Sequence, residues 1–436
     1  MPKNANISKV LIQIHSTLRS KRLEYTLNYV FKWRMGIDFS IVSDPAQIDH
    51  SQTVIDYNVE SNGFGIHIIP DGLLFRTGTE HIVSEKTKFN LNPIEQSKSQ
   101  YSDIFSSIFY HLSRYEEYNA PKDKLSRFSY KSSCLFLNKC IERPLLDEWI
   151  GDLKNYLIQF YDFQAQNYKI ENYSTQASID IDSVFSYKGR NFVRTIGAFS
   201  KDILKLNFKE IFKRFKVLAN LEIDPNDNFE LQKNLIGQKP AWYFVQVGEY
   251  GRLDKNISPD NKEFQNILKT INNAGHQIGL HPSFDSNSNA ATINTEKSKL
   301  ESIIGQQVKH SRQHYLKFEL PKTYQTLIDI GIEHEYSMGY SEIAGFRAAT
   351  AVPFYWYNLN SEESTKLLIH PFVVMDVAYK NFQKMSVEET ITSSAVLKDI
   401  CRQLNLPFVF VFHNESLSSH RGWENWDKVF SFWNHE

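Results

Sequence analysis

The sequence predicts an α/β protein in two parts. A separate mixed α/β domain occupies residues 1–170, and a parallel sheet, closed or nearly closed into a barrel, occupies residues 171–436. Three observations predict this. A polar stretch at 164–176 reads as a linker. After it, short apolar runs alternate with helical patterns over about 260 residues, the rhythm of strand–helix–strand units. Those apolar runs end repeatedly in Asp or His, and a barrel carries its reactive groups where strands end and loops begin.

The first domain is read element by element. Residues 10–14 form a short apolar run, and 23–33 carry apolar residues at helical spacing. Residues 64–69 and 72–75 read as two strands around a Pro70-Asp71-Gly72 turn. An amphipathic helix is expected over 103–118, because Ile104, Phe105, Ile108, Phe109, Leu112 and Tyr115 recur at three- and four-residue steps. Pro121 bounds it, and a second helix runs from about Pro144 towards Phe160. The motif S-R-Y-E-E-Y at 113–118 holds Arg114, Glu116 and Glu117, read as local charge pairing with a structural role.

In the second part, strands are expected at 177–185, 242–247, 277–281, 308–316, 333–338, 367–375 and 408–413. Helical patterns at 263–274, 295–304, 322–330 and 387–404 lie between most of them. An insertion at 187–240 separates the first two strands. Within it, Lys205, Lys209 and Lys213 repeat every four residues, while Ile203, Leu204, Phe208, Ile211, Phe212 and Phe215 form an apolar side. A nucleic-acid or membrane-surface role competes here with a surface helix that has a solvated basic face, and the surface helix is favoured.

Composition narrows the function classes. With 41% hydrophobic and 23% charged residues the chain is globular. A net charge of −1, from 49 basic and 50 acidic residues, gives no whole-protein grip on nucleic acid. No apolar run reaches the roughly 18 residues that a membrane span needs. The N-terminal apolar stretch is too short for a secretion signal, so a cytoplasmic location is expected. Cys134, Cys140 and Cys401 are odd in number and fit no zinc knuckle, which leaves them as reduced structural thiols.

The strand ends carry the chemistry. The first strand ends S-I-D-I-D; Asp180 and Asp182, two apart, face one side and suit one metal ligand plus one general base. The run G-H-Q-I-G-L-H-P places His281 at a strand end and His276 at the far end, where a structural role is expected. S-R-Q-H-Y brings Arg312 and His314 to one side, and an Arg beside acids orients a base. F-V-F-V-F runs straight into His413, a candidate general acid, and Leu367–Ile369 deliver His370 in the same manner.

This order of motifs resembles the polysaccharide deacetylase family, also called the NodB-homology or carbohydrate esterase 4 type. The resemblance covers residue 177 to the C-terminus, and GHxIGxH is its most specific part. The run I-F-Y-H-L-S-R-Y-E-E-Y (108–118), followed by Arg127-Phe128, resembles a bacterial subgroup with an uncharacterised N-terminal domain. The resemblance implies a distorted (β/α)7-type barrel and a divalent metal, zinc. It implies Asp180 as catalytic base, Arg312 as its orienting partner and His413 as the acid. Asp182 and His281 would hold the metal. Asp285 stands where the family has a second histidine, and His314 is the alternative third ligand. Tyr315 closes the arginine motif and, with Arg347 and Trp356, is assigned to substrate binding.

The resulting expectation is a metal-dependent hydrolase that deacetylates an N- or O-acetylated sugar or a cell-envelope polysaccharide precursor. The alternatives are another amide hydrolase on the same barrel and a catalytically silent carbohydrate-binding or assembly protein. No nucleic-acid partner is expected.

Overall fold

A computed structural model describes residues 11–63, 65–79, 103–161 and 173–435. The chain divides into two compact units. The first comprises residues 1–121, 131–172 and 348–366, and the second comprises 122–130, 173–347 and 367–436. Each unit therefore takes in a short segment that a single boundary near residue 170 assigns to the other.

The first unit is built on a four-stranded sheet of β1 (Leu11–His15), β2 (Asp38–Val42), β3 (Thr53–Asp56) and β4 (Ile66–His67), in the order β2-β1-β3-β4 with parallel pairings. The helix Lys21–Leu27 begins on Ser20, whose side chain accepts from the backbone N–H of Leu23, and continues as a π-helix over Asn28–Arg34. The helix Ile104–Leu112 is capped by Asp103 and buries Ile104, Phe105, Ile108, Phe109 and Leu112. It stops earlier than the apolar pattern suggests, because Arg114 takes a left-handed backbone (φ 54°) and a 3-10 turn, Tyr115–Glu117, follows. Arg114 is fully buried and binds Glu116 at 3.0 Å and Glu117 at 2.9 Å, a structural ion cluster. The expected strand at 72–75 is instead a 3-10 turn, Leu73–Phe75, entered through Gly72 at φ 93°; Phe64 lies outside the described residues.

The second unit holds the parallel sheet. Its strands are β5 (Ser174–Ile181), β6 (Trp242–Val245), β7 (Gln277–Leu280), β8 (His310–Ser311) and β9 (His334–Met338), then β10 (Phe354–Asn358), β11 (Glu363–Pro371), β12 (Val374–Met375) and β13 (Pro407–His413). The spatial order within the unit is β11-β9-β8-β7-β6-β5-β13-β12; β10 and the first residues of β11 belong to the first unit. Helices Lys262–Asn273, Ala290–Ile304, Lys322–Asp329 and Val387–Gln403 connect the strands at the positions read from periodicity. All seven expected strands are present. One is much shorter than expected: β8 has two residues where the expected strand spans nine; beyond it the Gln313 N–H donates to the Ser337 hydroxyl instead of a strand carbonyl, and Tyr315 and Leu316 (φ 58° and 53°) turn the chain away.

The sheet is strongly curled. Neighbouring strands lie about 4.8 Å apart, yet Arg312, just beyond β8, reaches past β7 and β6 to donate to Asp180 on β5 at 2.6 Å. The core behind β13 is aromatic: Phe410 and Phe412 pack on Phe430 and Trp433 with ring centroids 5.2–5.7 Å apart. Each such buried ring contributes about 1.5–3 kcal/mol of burial.

The insertion departs from the expected single surface helix. Its first part forms two helices, Phe192–Leu204 and Phe208–Leu218, broken at Leu206 (φ 52°), and a third, Phe229–Ile236, follows. Its apolar residues are also not the packed side, since Leu204, Phe208, Phe212 and Phe215 are each more than half exposed.

Candidate metal centre and active site

Register brings the polar groups together. On β5 and β13, His413 is directly opposite Asp180. The ends of β6, β7 and β8 are flush, with His281 N–H donating to Val245 and Arg312 N–H donating to Leu280. This flush packing explains the glycine in G-H-Q-I-G-L-H: a Cβ on Gly279 would come within 2.6 Å of the Phe244 ring and 3.0 Å of the His310 carbonyl oxygen.

Asp182, His281 and His314 converge. One donor atom from each lies within 4.8 Å of the others, and among the described residues this is the one such group of three His, Cys, Asp or Glu side chains. His281 Nδ1 lies 2.6 Å from the Arg312 carbonyl oxygen, which can only accept, so Nδ1 carries the proton. With the ring neutral, as a metal ligand must be, its Nε2 lone pair would face Asp182 Oδ1 at 3.2 Å. That oxygen is buried and has no hydrogen-bond donor. Two acceptors facing one another without a proton are stabilised by a cation between them, so these residues fit a divalent metal.

His314 is oriented in the same way. Its Nδ1 lies 2.8 Å from Asp254 Oδ1, an oxygen that also accepts from Gln246 at 2.6 Å, and its Nε2 lies 3.5 Å from Asp182 Oδ2. Burial alone would lower the His314 pKa, but Asp182 and Asp254 outweigh it and hold it up at about 9. Burial likewise opposes ionisation of Asp182, yet His314 and His281 hold its carboxyl well below the usual range.

Two further pairs flank the cluster. Arg312 donates to Asp180 at 2.6 Å, to Ser178 Oγ at 2.5 Å and to the Tyr336 carbonyl at 3.0 Å, fixing the carboxylate in a buried site. His413 Nδ1 pairs with Asp376 Oδ1 at 2.8 Å, and its Nε2 faces Asp180 and Asp182 at 4.0 and 3.9 Å. Burial pulls the His413 pKa down, but Asp376, then Asp182 and Asp180, raise it well above the usual histidine value.

The remaining expected residues divide. Asp285 does not join the cluster. After His281 the chain is tied down by Ser283 to Glu296 and by the Phe284 N–H to Asp254, which leaves Asp285 exposed ahead of the turn Ser286–Ser288. Tyr315 lies beside His314 and is 38% exposed, with the Phe284 ring edge-on at 5.6 Å. Arg347 is buried against Phe318 at 4.6 Å and donates to the Gly339 carbonyl, so it fills structure rather than offering a free guanidinium. Trp356 is fully buried in the first unit and presents no open ring face. His276 accepts from the backbone N–H of Ala241, in keeping with a structural role.

Sequence reasoning missed Asp376, Asp254, Gln246 and Ser178. Asp376 had a readable signal, since V-V-M-D (373–376) is another apolar run ending in an acid. Asp254 sits in the irregular loop after β6 and had none.

A family of unknown function (DUF7033) matches residues 10–162, about a third of the chain. No curated protein matches in sequence. Among solved structures, the chain is similar to a protein of Mycobacterium smegmatis described as a polysaccharide deacetylase: 13% identity and a TM-score of 0.37, covering 61% of this chain and 83% of that one. It is also similar to the polysaccharide deacetylase Bc1974 of Bacillus cereus, at 13% identity and a TM-score of 0.26, covering 45% of this chain and 78% of the other.

Proposed function

We propose that the second unit is a metal-dependent hydrolase that removes an acetyl group from the nitrogen or oxygen of a sugar. The observation that carries this reading is the convergence of Asp182, His281 and His314 between the Arg312–Asp180 and Asp376–His413 pairs. Asp182, His281 and His314, rather than Asp285, would hold the ion, which we take to be zinc. One carboxylate and two imidazoles leave a position open for water or substrate. When bound, the ion supplies Lewis-acid polarisation of the acyl carbonyl and makes water more acidic.

The chain's own groups do the rest. Asp180, held in place by Arg312, accepts a proton from the water that attacks the acyl carbon. His413, kept protonated by Asp376, donates a proton to the departing nitrogen or oxygen as its bond to the acyl carbon breaks. Acetate and the free amine or hydroxyl leave. The Tyr315 and Phe284 rings beside the cluster offer an apolar wall for a sugar face.

The test is acetate release from a panel of N- and O-acetylated sugars by zinc-loaded protein, with and without chelator. The reading requires release that chelation stops, and release roughly 10²–10⁴-fold slower in Asp180→Asn protein retaining its zinc. Equal release by that variant sinks it.

A further inference from the structure

The helical pair that follows β5 is built inside out. Among the described residues, twelve of the twenty-three exposed large apolar side chains lie between Phe192 and Ile223. A helix packed on a soluble protein turns its apolar stripe inward and its charges outward. Here the inward contacts are polar. Arg214, buried, ties the two helices together through Asp202 at 2.7 Å and lies over the Tyr187 ring of the underlying chain at 4.8 Å. Glu210 accepts from Tyr187 at 2.6 Å and pairs with His420 at 2.9 Å. The helix Phe208–Leu218 is thus held to its unit by charge, with Val217 as its one fully buried apolar side chain.

The outward stripe is apolar and regular. At about 100° per residue, Phe208, Phe212 and Phe215 fall on one line, and their exposures are 63%, 66% and 59%. Lys209, Lys213 and Lys216 fall along one flank of that line. On the preceding helix, Phe192, Ile196 and Ile203 form a matching stripe, with Leu204 and Leu206 at the turn between the helices. Basic residues outnumber acidic ones eight to three between 190 and 223, in a chain whose net charge is −1.

We propose that this helical pair is a docking element for an anionic lipid surface. Aromatic and aliphatic side chains enter the boundary between headgroups and acyl chains, while the flanking lysines stay at the level of the anionic headgroups. The charge selects this occupant: a second copy of the same face would set lysine row against lysine row. The pair lies flat on the surface; no helix among the described residues is long and apolar enough to cross a membrane. It springs from the end of β5 that carries Asp180 and Asp182, so docking places that end of the sheet next to the lipid. The proposal stands independently of the hydrolase reading, because its readout is binding alone.

The experiment is co-sedimentation of the full chain with vesicles of phosphatidylcholine alone, or with one-third phosphatidylglycerol, in parallel with sedimentation velocity without lipid. The expected result is capture by the anionic vesicles, little capture by the neutral ones, and weaker capture as salt rises. The triple variant Phe208→Ser/Phe212→Ser/Phe215→Ser and the double variant Lys209→Glu/Lys216→Glu should each lose at least tenfold in vesicle affinity with an unchanged circular dichroism spectrum. Both change exposed positions, so folding is not at issue. Equal capture by both kinds of vesicle, no capture by either, or a dimer that the phenylalanine variant dissolves while vesicles go unbound would each overturn the proposal.

Discussion

The second unit carries two clusters of three histidines, and they are opposites. At one end of the sheet, His281, His314 and His413 each face a carboxylate: Asp182 at 3.2 and 3.5 Å, and Asp376 at 2.8 Å. Near the starts of β8 and β9, His310, His334 and His370 face rings. His310 stacks on His334 at 4.6 Å, His370 stacks on Tyr336 at 4.2 Å, and His334 and His370 share a 3.0 Å hydrogen bond. Burial works against protonation of His314 and His413 in the first cluster and of His310 and His370 in the second. Acids reverse this for His314 and His413, whereas nothing reverses it for His310 and His370, which fall to about 4 and about 3. The same residue type is therefore a candidate ligand or acid in one cluster and packing material in the other.

The sharpest way to break this contrast is metal content. His281→Ala or His314→Ala should reduce bound zinc from about one per chain to none and abolish turnover, because a site with three protein ligands does not survive on two. His370→Ala should leave zinc content unchanged. Elemental analysis after dialysis reads both, and zinc loss in the His370 variant would erase the distinction.

Next in size is the proposed base. Asp180→Asn should lower turnover by roughly 10²–10⁴-fold while zinc stays bound, since Asp180 faces the cluster but is held by Arg312. Smaller effects are expected from the acids behind the histidines. Asp254→Asn should weaken zinc binding, and Asp376→Asn should lower turnover, each by about 10–100-fold. A competitive chelator titration measures the first, and initial rates at saturating zinc measure the second. Effects below about twofold in both would mean that these acids only fill space.

The contrast also shows what the sequence could and could not convey. Strand identity was clearest at β13, where the run F-V-F-V-F is apolar on both faces; more polar strands such as β8 and β9 were placed by the strand–helix alternation around them. Asp180, Asp182, His281 and His413 were legible because each stands at the end of such a run. The third convergent donor was legible only as one of two candidates, Asp285 and His314. Position in the motif pointed to Asp285, four residues after His281, but the loop is tied back through Ser283 and Phe284, and the left-handed turn at Tyr315 accompanies His314 into the gap. Loop geometry of that kind is set by contacts distant in sequence. Strand ends alone also could not separate His370 from His413, since L-L-I-H and F-V-F-H read alike. What separates them lies on the neighbouring strand: Asp180 stands opposite His413, whereas His370 meets Tyr336. The insertion misled for a related reason, because periodicity reveals that a helix has two faces but not which of them meets the protein.

The smallest expected effect tests the ring-packed cluster directly. An unfolded histidine takes up its proton near pH 6.5, whereas burial beside His334 and His310 delays protonation of folded His370 to about pH 3. Between those values the unfolded chain binds more protons, so His370 removes stability as pH falls from 7. At pH 5 this amounts to about 1–2 kcal/mol relative to pH 7. His370→Phe keeps a flat ring for stacking on Tyr336 and abolishes the titration, at the cost of the hydrogen bond to His334. The variant should therefore be somewhat less stable than the parent at pH 7 and should lose less on acidification. Urea unfolding midpoints at pH 7 and pH 5 measure the difference. If parent and variant decline in parallel, His370 is not held neutral by its surroundings, and the two histidine clusters differ less than their geometry implies.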